Sequence, residues 1–388
     1  MRDTETVTDI LLATGLVAGG VGRHVAQLAA GLTGRGHRVR VACPPVVASR
    51  FDLAGAGADV VPVEIGSRPA PLRDHSAVAA LRSACVGVDV VHAHGLRAGA
   101  LVLLARGDAA MPPVVVTGHN AAPHGRVAAV VHRGLERMVY HGADLFLGVS
   151  EDLVQRARDR NGCAVARAVV AAVRADPVTS REDVRRTLEL GPGEALVVSV
   201  GRLAAQKGYD RLLSTVGDLV GDGGQVTVVI AGDGPQREGL QRQIDREGLP
   251  ARLLGHRDDV PDLLGAADVV VSSARWEGQP VWLQEALSAG AAIVATDVGG
   301  TAEVLGGAGI LVPPEVPGEL TEAIGVLLED PERLAGLRTG ARARAADLPT
   351  AADAVGAALA AYECATVIAT GRTAGRAAGD DRPDRDVD

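Results

Sequence analysis

Short apolar runs that end in small residues, each followed by a stretch of helical spacing, recur along almost the whole chain. In the first half the strand candidates are Ile10–Ala13, GHRVRVAC (36–43), VDVVHAH (88–94), VVVTGHN (114–120) and ADLFLGVS (143–150). In the second half they are EALVVSVGR (194–202), QVTVVIAGDGP (225–235), ARLLGH (251–256), ADVVVSS (267–273), AAIVATDVGG (291–300) and GAGILVPP (307–314). Strands alternating with helices require crossovers and a parallel sheet, the doubly wound α/β class. Between the two sets, 166–183 turns from apolar to turn-rich and charged, so the boundary is placed there: residues 1–175 and residues 176–348. A chain of 388 residues has room for two such cores. The expected fold class is therefore α/β, two doubly wound Rossmann-like domains facing across a cleft. Residues 318–345 and 349–364 are Ala-rich and read as terminal helices, and the charged, Gly-containing stretch 370–388 reads as a disordered tail.

Composition excludes some partners. Only 2% of residues are aromatic, so the cores are built from Ala, Val and Leu, and there is no stacking platform for nucleic acid. The net charge of −9 is uneven: residues 1–175 carry 19 Arg and no Lys against 14 acids, net +5, which leaves the rest at −14. Opposite signs suggest that the halves meet different ligands. Cys43, Cys85, Cys163 and Cys364 form no C-x-x-C pair, as expected of reduced thiols in a cytoplasmic protein. The acidic start MRDTETVTD lacks the basic region of a signal peptide, and the uncharged run 10–22 is too short to span a bilayer.

The stretch ARWEGQPVWLQEALSAG (274–290) carries the strongest chemistry. A strand ends, a loop bears Glu277 and a helix from about Pro280 bears Glu285. Carboxylates beyond a strand's carboxyl end suit the vicinal hydroxyls of a ribose or sugar, although a solvated Glu and an Arg-paired Glu would look the same. GRLAAQKGYDRLL (201–213) also follows a strand and places Arg202 and Lys207, the chain's sole lysine, on one loop after Gly201. An Arg fork and a Lys point charge fit a diphosphate. AGDGP (with Gly232 and Gly234) and DVGGTAE (with Gly299, Gly300 and Glu303) are glycine turns that let backbone N–H groups approach an anion, or are ordinary turns. In the first half, Gly19 and Gly20 follow the first strand without the G-x-G-x-x-G offsets of a nicotinamide site. His119 and Asn120 lie at a strand end, and His92 and His94 alternate along a strand, so one is expected to face the core. No HExxH, Asp cluster or His/Cys set suggests a metal. The helix 124–142 has Arg126, Arg133 and Arg137 on one broad face and Val130, Val131, Leu135 and Met138 for another, the pattern of a solvated helix or of one lying on an acidic surface.

Taken in order, E-x7-E (Glu277 to Glu285), G-R…Q-K-G, GDGP and GG-x-x-E, with Gly19-Gly20 and His119-Asn120, resemble the retaining GT-B glycosyltransferases of family 4 over residues 8–365. The resemblance implies a hexosyltransferase that takes a nucleotide-diphosphate sugar as co-substrate and needs neither cofactor nor metal. It implies donor contacts from Gly201, Arg202, Lys207, Gly232, Gly234, Arg257, Glu277, Gly278, Glu285, Gly299, Gly300 and Glu303. Arg202 and Lys207 would hold the diphosphate and Glu285 the ribose. Glu277 would meet the donor sugar and His119 would lie near the reacting centre, so that His119, Glu277, Arg202 and Lys207 form the catalytic group. Gly19, Gly20, His94 and Asn120 would line the acceptor side, the acceptor being a sugar, lipid or small molecule, and helix 349–366 would cross back to the first domain. The protein would be cytoplasmic, with peripheral contact at the inner membrane face left open. The chain departs from the family at AVVAAVRADP, where an Asn-Gly is common, and at Gln279-Pro280, where Phe-Gly is common. A nucleotide-sugar epimerase or phosphorylase of the same architecture, or an inactive binding protein, remain alternatives at this point. No side chain is placed as a nucleophile, so the expected chemistry is front-face substitution with retention.

Overall fold

The computed structural model describes residues 8–17, 19–106, 112–120, 126–174, 176–221, 223–316 and 318–379. The chain divides into two compact units, residues 1–171 with 349–388, and residues 172–348.

The first unit is a seven-stranded sheet of β1 (Asp9–Thr14), β2 (Arg38–Cys43), β3 (Asp59–Pro62), β4 (Val90–His94), β5 (Val114–Gly118), β6 (Leu145–Gly148) and β7 (Ala164–Arg167). Its order is β3-β2-β1-β4-β5-β6-β7, with every pairing parallel. The edge strands β3 and β7 escape a sequence reading because they are four residues long and only partly buried, so no long apolar run marks them. The second unit is a six-stranded sheet of β8 (Ala195–Val200), β9 (Val226–Ala231), β10 (Ala251–Gly255), β11 (Val269–Ser272), β12 (Ile293–Thr296) and β13 (Ile310–Val312). Its order is β10-β9-β8-β11-β12-β13, again wholly parallel. Alternate residues of these strands feed two cores: Leu196, Val198, Val229 and Val270 on one face, Val197, Val228, Ile230, Val269 and Val271 on the other. This is the period of two of a strand buried on both sides.

In both sheets the strand order reverses beside the unit's first strand, between β1 and β4 and between β8 and β11. The connections leaving two such strands run to opposite faces, which opens a crevice at their carboxyl ends.

The units divide at Ala171/Ala172, four residues before the expected 175/176. Ala172 packs on the core of the second unit, and the Arg174 guanidinium donates to the carbonyls of Ala345, Ala346 and Leu348. The tail reading is also corrected in part. The last helix runs from Ala351 to Gly379, well past residue 370, and Arg372 donates to Asp144 Oδ1 and the Ala143 carbonyl at 3.2 Å each. Ala and Arg are strong helix formers, and this outweighs the two glycines at 371 and 375. Residues 380–388 lie outside the described residues. By length and composition this helix could cross a membrane, yet Ala354, Val355, Tyr362 and Ala365 are buried in the first unit. Helix Arg126–Gly142 turns Val139 and Tyr140 inward, while Val130, Val131 and Met138 face outward with Arg133 and Arg137. The inward face is thus not the one that Val130, Val131 and Met138 suggest, and the side chain of Arg126 lies outside the described ones.

Candidate functional site

The second unit gathers its chemistry on loops after β8, β9, β11 and β12. Gly201 follows β8, and Gly232 follows β9 with φ 145°; a Cβ on Gly232 would sit 1.9 Å from the Gly201 carbonyl oxygen, so the two loops touch through backbone alone. They are also stitched together through Leu203, whose N–H donates to Asp233 and whose carbonyl accepts from Gln236. Gly234 packs against the Leu203 carbonyl. The loops that read separately as GR…QKG and GDGP are one surface. On it the Arg202 side chain is exposed and makes no hydrogen bond or ion pair among the described residues, its carbonyl accepting from the Ala204 N–H.

Lys207 closes a short 3-10 turn, Ala205–Lys207, that the loop after β11 grips from several sides. Ser273 Oγ donates to the Lys207 carbonyl at 3.1 Å, the Arg275 N–H donates to Gln206, Gln206 donates back to the Trp276 carbonyl, and Arg275 forms a two-pronged pair with Asp210. That grip brings Lys207 Nζ onto Glu277 Oε1. The side chains are 18% and 6% exposed respectively, so the pair is largely desolvated. Glu277 and the glycine turn after β12 are equally close. Gly299 has φ 51°, its Cβ would meet the Glu277 carbonyl oxygen at 1.7 Å, and Gly300 N–H donates to the carbonyls of Glu277 and Gly278. Glu285 lies in the second turn of helix Val281–Ser288 and is 7% exposed. Its neighbour Gln284 is fully buried with both side-chain amide atoms unpaired among the described residues, a residue that sequence reasoning passed over because a Gln on an amphipathic helix is usually wet.

Other expected donor contacts are further from this pair in role. Arg257, after β10, is engaged bidentately by Asp259, which raises the guanidinium pKa and holds the carboxyl below its ordinary range. Glu303 is exposed on helix Thr301–Leu305, and its carbonyl accepts from Arg344. Among the described residues no group of three or more His, Cys, Asp or Glu could hold a metal ion.

The first unit builds a different surface. Gly19, with φ 62°, caps helix Gly20–Gly34, and His24 projects from that helix. His94 ends β4, His119 follows β5, and Asn120 beside it is exposed. His92 and His94 are two residues apart and therefore share a face of β4; their rings lie 4.2 Å apart, and both are buried. The expectation that one of the two turns away is corrected on that ground. His92 Nδ1 contacts Tyr362 Oη at 2.9 Å and its Nε2 contacts Thr117 Oγ1 at 2.7 Å. His94 Nδ1 lies 3.3 Å from His119 Nε2. Burial lowers the pKa of all four histidines, His24 to about 4 and His92 to about 3. Arg167 lines a 20 Å³ cavity with His24 and His92. His24, His92 and Tyr362 were absent from the expected site. The i, i+2 spacing of His92 and His94 was a legible signal, but the arrival of Tyr362 from 270 positions away was not.

Residues 19–174 match the family described as glycosyl transferase 4-like domain, and residues 194–330 match glycosyl transferases group 1. Among curated proteins, the chain is 31% identical over 342 residues to the phosphatidyl-myo-inositol mannosyltransferase of Mycolicibacterium smegmatis, covering 85% of this chain and 86% of that protein. It is 33% identical over 184 residues to the alpha-D-kanosaminyltransferase of Streptomyces kanamyceticus, 46% of either chain. The match spans about half the length of that protein and of two other curated relatives. Among solved structures, Anabaena HepE, in complex with UDP and glucose, superposes with a TM-score of 0.77 at 22% identity over 92% of this chain and 99% of HepE. Sucrose-phosphate synthase from Thermosynechococcus elongatus superposes at 0.76 with 19% identity, over 92% and 98%. These superpositions establish the GT-B fold.

Proposed function

The chain belongs to the glycosyl transferases group 1 family with the GT-B fold, and on that premise we propose that it moves a sugar from a nucleoside-diphosphate donor, bound by the second unit, to an acceptor hydroxyl, bound by the first. The observation that carries this reading is the trio Arg202, Lys207 and Glu277, one exposed cation beside a desolvated cation–carboxylate pair. The trio sits on the loops after β8 and β11, the strands at which the sheet order reverses. A diphosphate places its oxygens on Arg202 and Lys207. The sugar then gives Glu277 the hydroxyl donors that replace the contact with Lys207. Glu285 takes the ribose diol. That HepE is described with UDP and glucose, and with UDP-glucose, supports a nucleotide sugar as the donor.

The reaction we propose retains the anomeric configuration. The bond from the anomeric carbon to the β-phosphate oxygen breaks, the acceptor oxygen bonds to that carbon from the same face, and the acceptor proton passes to the leaving phosphate. Arg202 and Lys207 stabilise the charge that gathers on the diphosphate. These two fixed cations supply that charge without a metal, and the step calls for no other cofactor. The outward face of helix Arg126–Gly142, with Val130, Val131 and Met138 beside Arg133 and Arg137, supports peripheral contact with an acidic membrane surface from the cytoplasmic side. Sedimentation with vesicles containing acidic lipid tests that contact, and no binding at low salt removes it.

The first experiment is a thermal-shift panel of UDP, GDP and ADP with and without Mg²⁺. A nucleotide at 100 times its Kd should stabilise the protein by about 2.7 kcal/mol. One nucleotide acting equally with and without Mg²⁺ supports the donor site and selects the sugars to try, after which NMR of the product anomer tests retention. No shift with any of the three refutes the donor site.

A further inference from the structure

Four histidines of the first unit converge in one place, His24 from helix Gly20–Gly34, His92 and His94 from β4, and His119 after β5. His94 is the hub: its ring centroid lies 4.2 Å from that of His92 and 5.5 Å from those of both His24 and His119. All four are at most 9% exposed, and burial together with mutual repulsion keeps them uncharged. A neutral imidazole carries one N–H and one bare nitrogen, so the contact between His94 Nδ1 and His119 Nε2 at 3.3 Å has one donor and one acceptor. The direction follows from the other nitrogen of His94. Its Nε2 is buried and has no hydrogen-bond partner among the described residues. Were His119 the donor, the proton of His94 would sit on that Nε2, a buried N–H with nothing to accept it. With His94 as donor, Nε2 keeps only an unshared lone pair beside the His92 ring. An orphaned acceptor is the more tolerable of the two.

We propose that His94 is a positioning residue that donates from Nδ1 to Nε2 of His119 and so holds His119 as its Nδ1–H tautomer. His119 is then a hydrogen-bond donor with its Nε2 already occupied, and it does not serve as the base that deprotonates the acceptor. Its service to sugar transfer rests on the function proposed above, whereas the tautomer does not. His24, edge-on to both rings, and the Tyr362–His92–Thr117 chain hold the ring of His94 in place from the other sides.

The test is imidazole ¹⁵N–¹H correlation NMR on the full-length protein at neutral pH, in wild type, His94→Phe and His94→Asn. Phe keeps a ring without a donor, while the Asn amide restores an N–H close to the place of Nδ1. The expected result is a single Nδ1–H tautomer for His119 in wild type and His94→Asn, and a mixture in His94→Phe. A wild-type His119 protonated at Nε2, or a tautomer unmoved in His94→Phe, overturns the proposal. Should His94→Phe melt too low to study, the wild-type spectrum and His94→Asn decide alone. With whichever of UDP-glucose, GDP-mannose or ADP-glucose gives turnover, His94→Phe should lower kcat about tenfold or more with donor KM little changed, and His94→Asn should restore it. If none of these is turned over, the transferase reading fails while the tautomer assignment still stands or falls by its own spectrum.

Discussion

Replacing Lys207 with Met should cost the second unit about 3 kcal/mol and do so through Glu277. Met keeps the length and volume of the lysine stem, which packs beside Gly201, so the change removes a charge and little else. What remains is a carboxylate whose residue is 5% exposed, stranded without its cation. Breaking a buried pair from one side costs about 3–5 kcal/mol. The 18% exposure of the lysine side chain lets water screen the pair and places the cost at the low end. The only two tryptophans, Trp276 and Trp282, flank Glu277 and both lie in this unit, so their fluorescence reports its unfolding alone. With m in urea of about 2–3 kcal/mol/M, the midpoint should fall by about 1–1.5 M. For a unit of about 180 residues, the melting temperature should fall by roughly 6–12 °C. Adding Glu277→Gln to Lys207→Met should recover most of the loss, because no charge is then left buried. A loss under about 1 kcal/mol, as for a surface ion pair, or a double variant no better than the single one, would refute the reasoning.

Three further outcomes are expected. Arg202→Ala should leave urea stability within about 0.5 kcal/mol, since the residue is exposed and unpaired, yet reduce kcat by about 10²–10³; near-normal turnover on an active donor removes Arg202 from the diphosphate. Gly232→Ala should lower the fluorescence-detected unfolding free energy by about 2 kcal/mol or more, because its Cβ would meet the Gly201 carbonyl at 1.9 Å and its φ of 145° is strained for any side chain; an unchanged midpoint would show that the two loops part freely. The buried histidines bind protons less well folded than unfolded. The stability they contribute is therefore whole above about pH 6.5 and lost as pH falls from there towards about 4. The drop in melting temperature over that window should be steeper in wild type than in His24→Phe, and equal slopes would remove His24 from the account.

Much of this architecture was readable residue by residue. Val269-Val270-Val271, Val228-Val229-Ile230 and Val114-Val115-Val116 are buried on both faces of their sheets, as the central strands of a parallel sheet require. Glycines at the ends of those runs marked the loops, because there the backbones come too close for a Cβ, as at Gly232 and Gly299. Edge strands β3 and β7 were invisible for the converse reason, since one side of an edge strand faces water and its composition need not be apolar.

The local code thus marked the buried central strands, the loops after them and the side chains those loops carry. It did so because the apolar runs of central strands and the residues that favour turns are written at consecutive positions. Partnership was decided elsewhere. Lys207 meets Glu277 across 70 positions, His94 meets His119 across 25, and Tyr362 reaches His92 across 270. Each meeting depends on strand order, on the reversal between β1 and β4 or between β8 and β11, and on the docking of the last helix against the first unit. No local pattern encodes those distances, because they are set by how whole layers of sheet and helix pack.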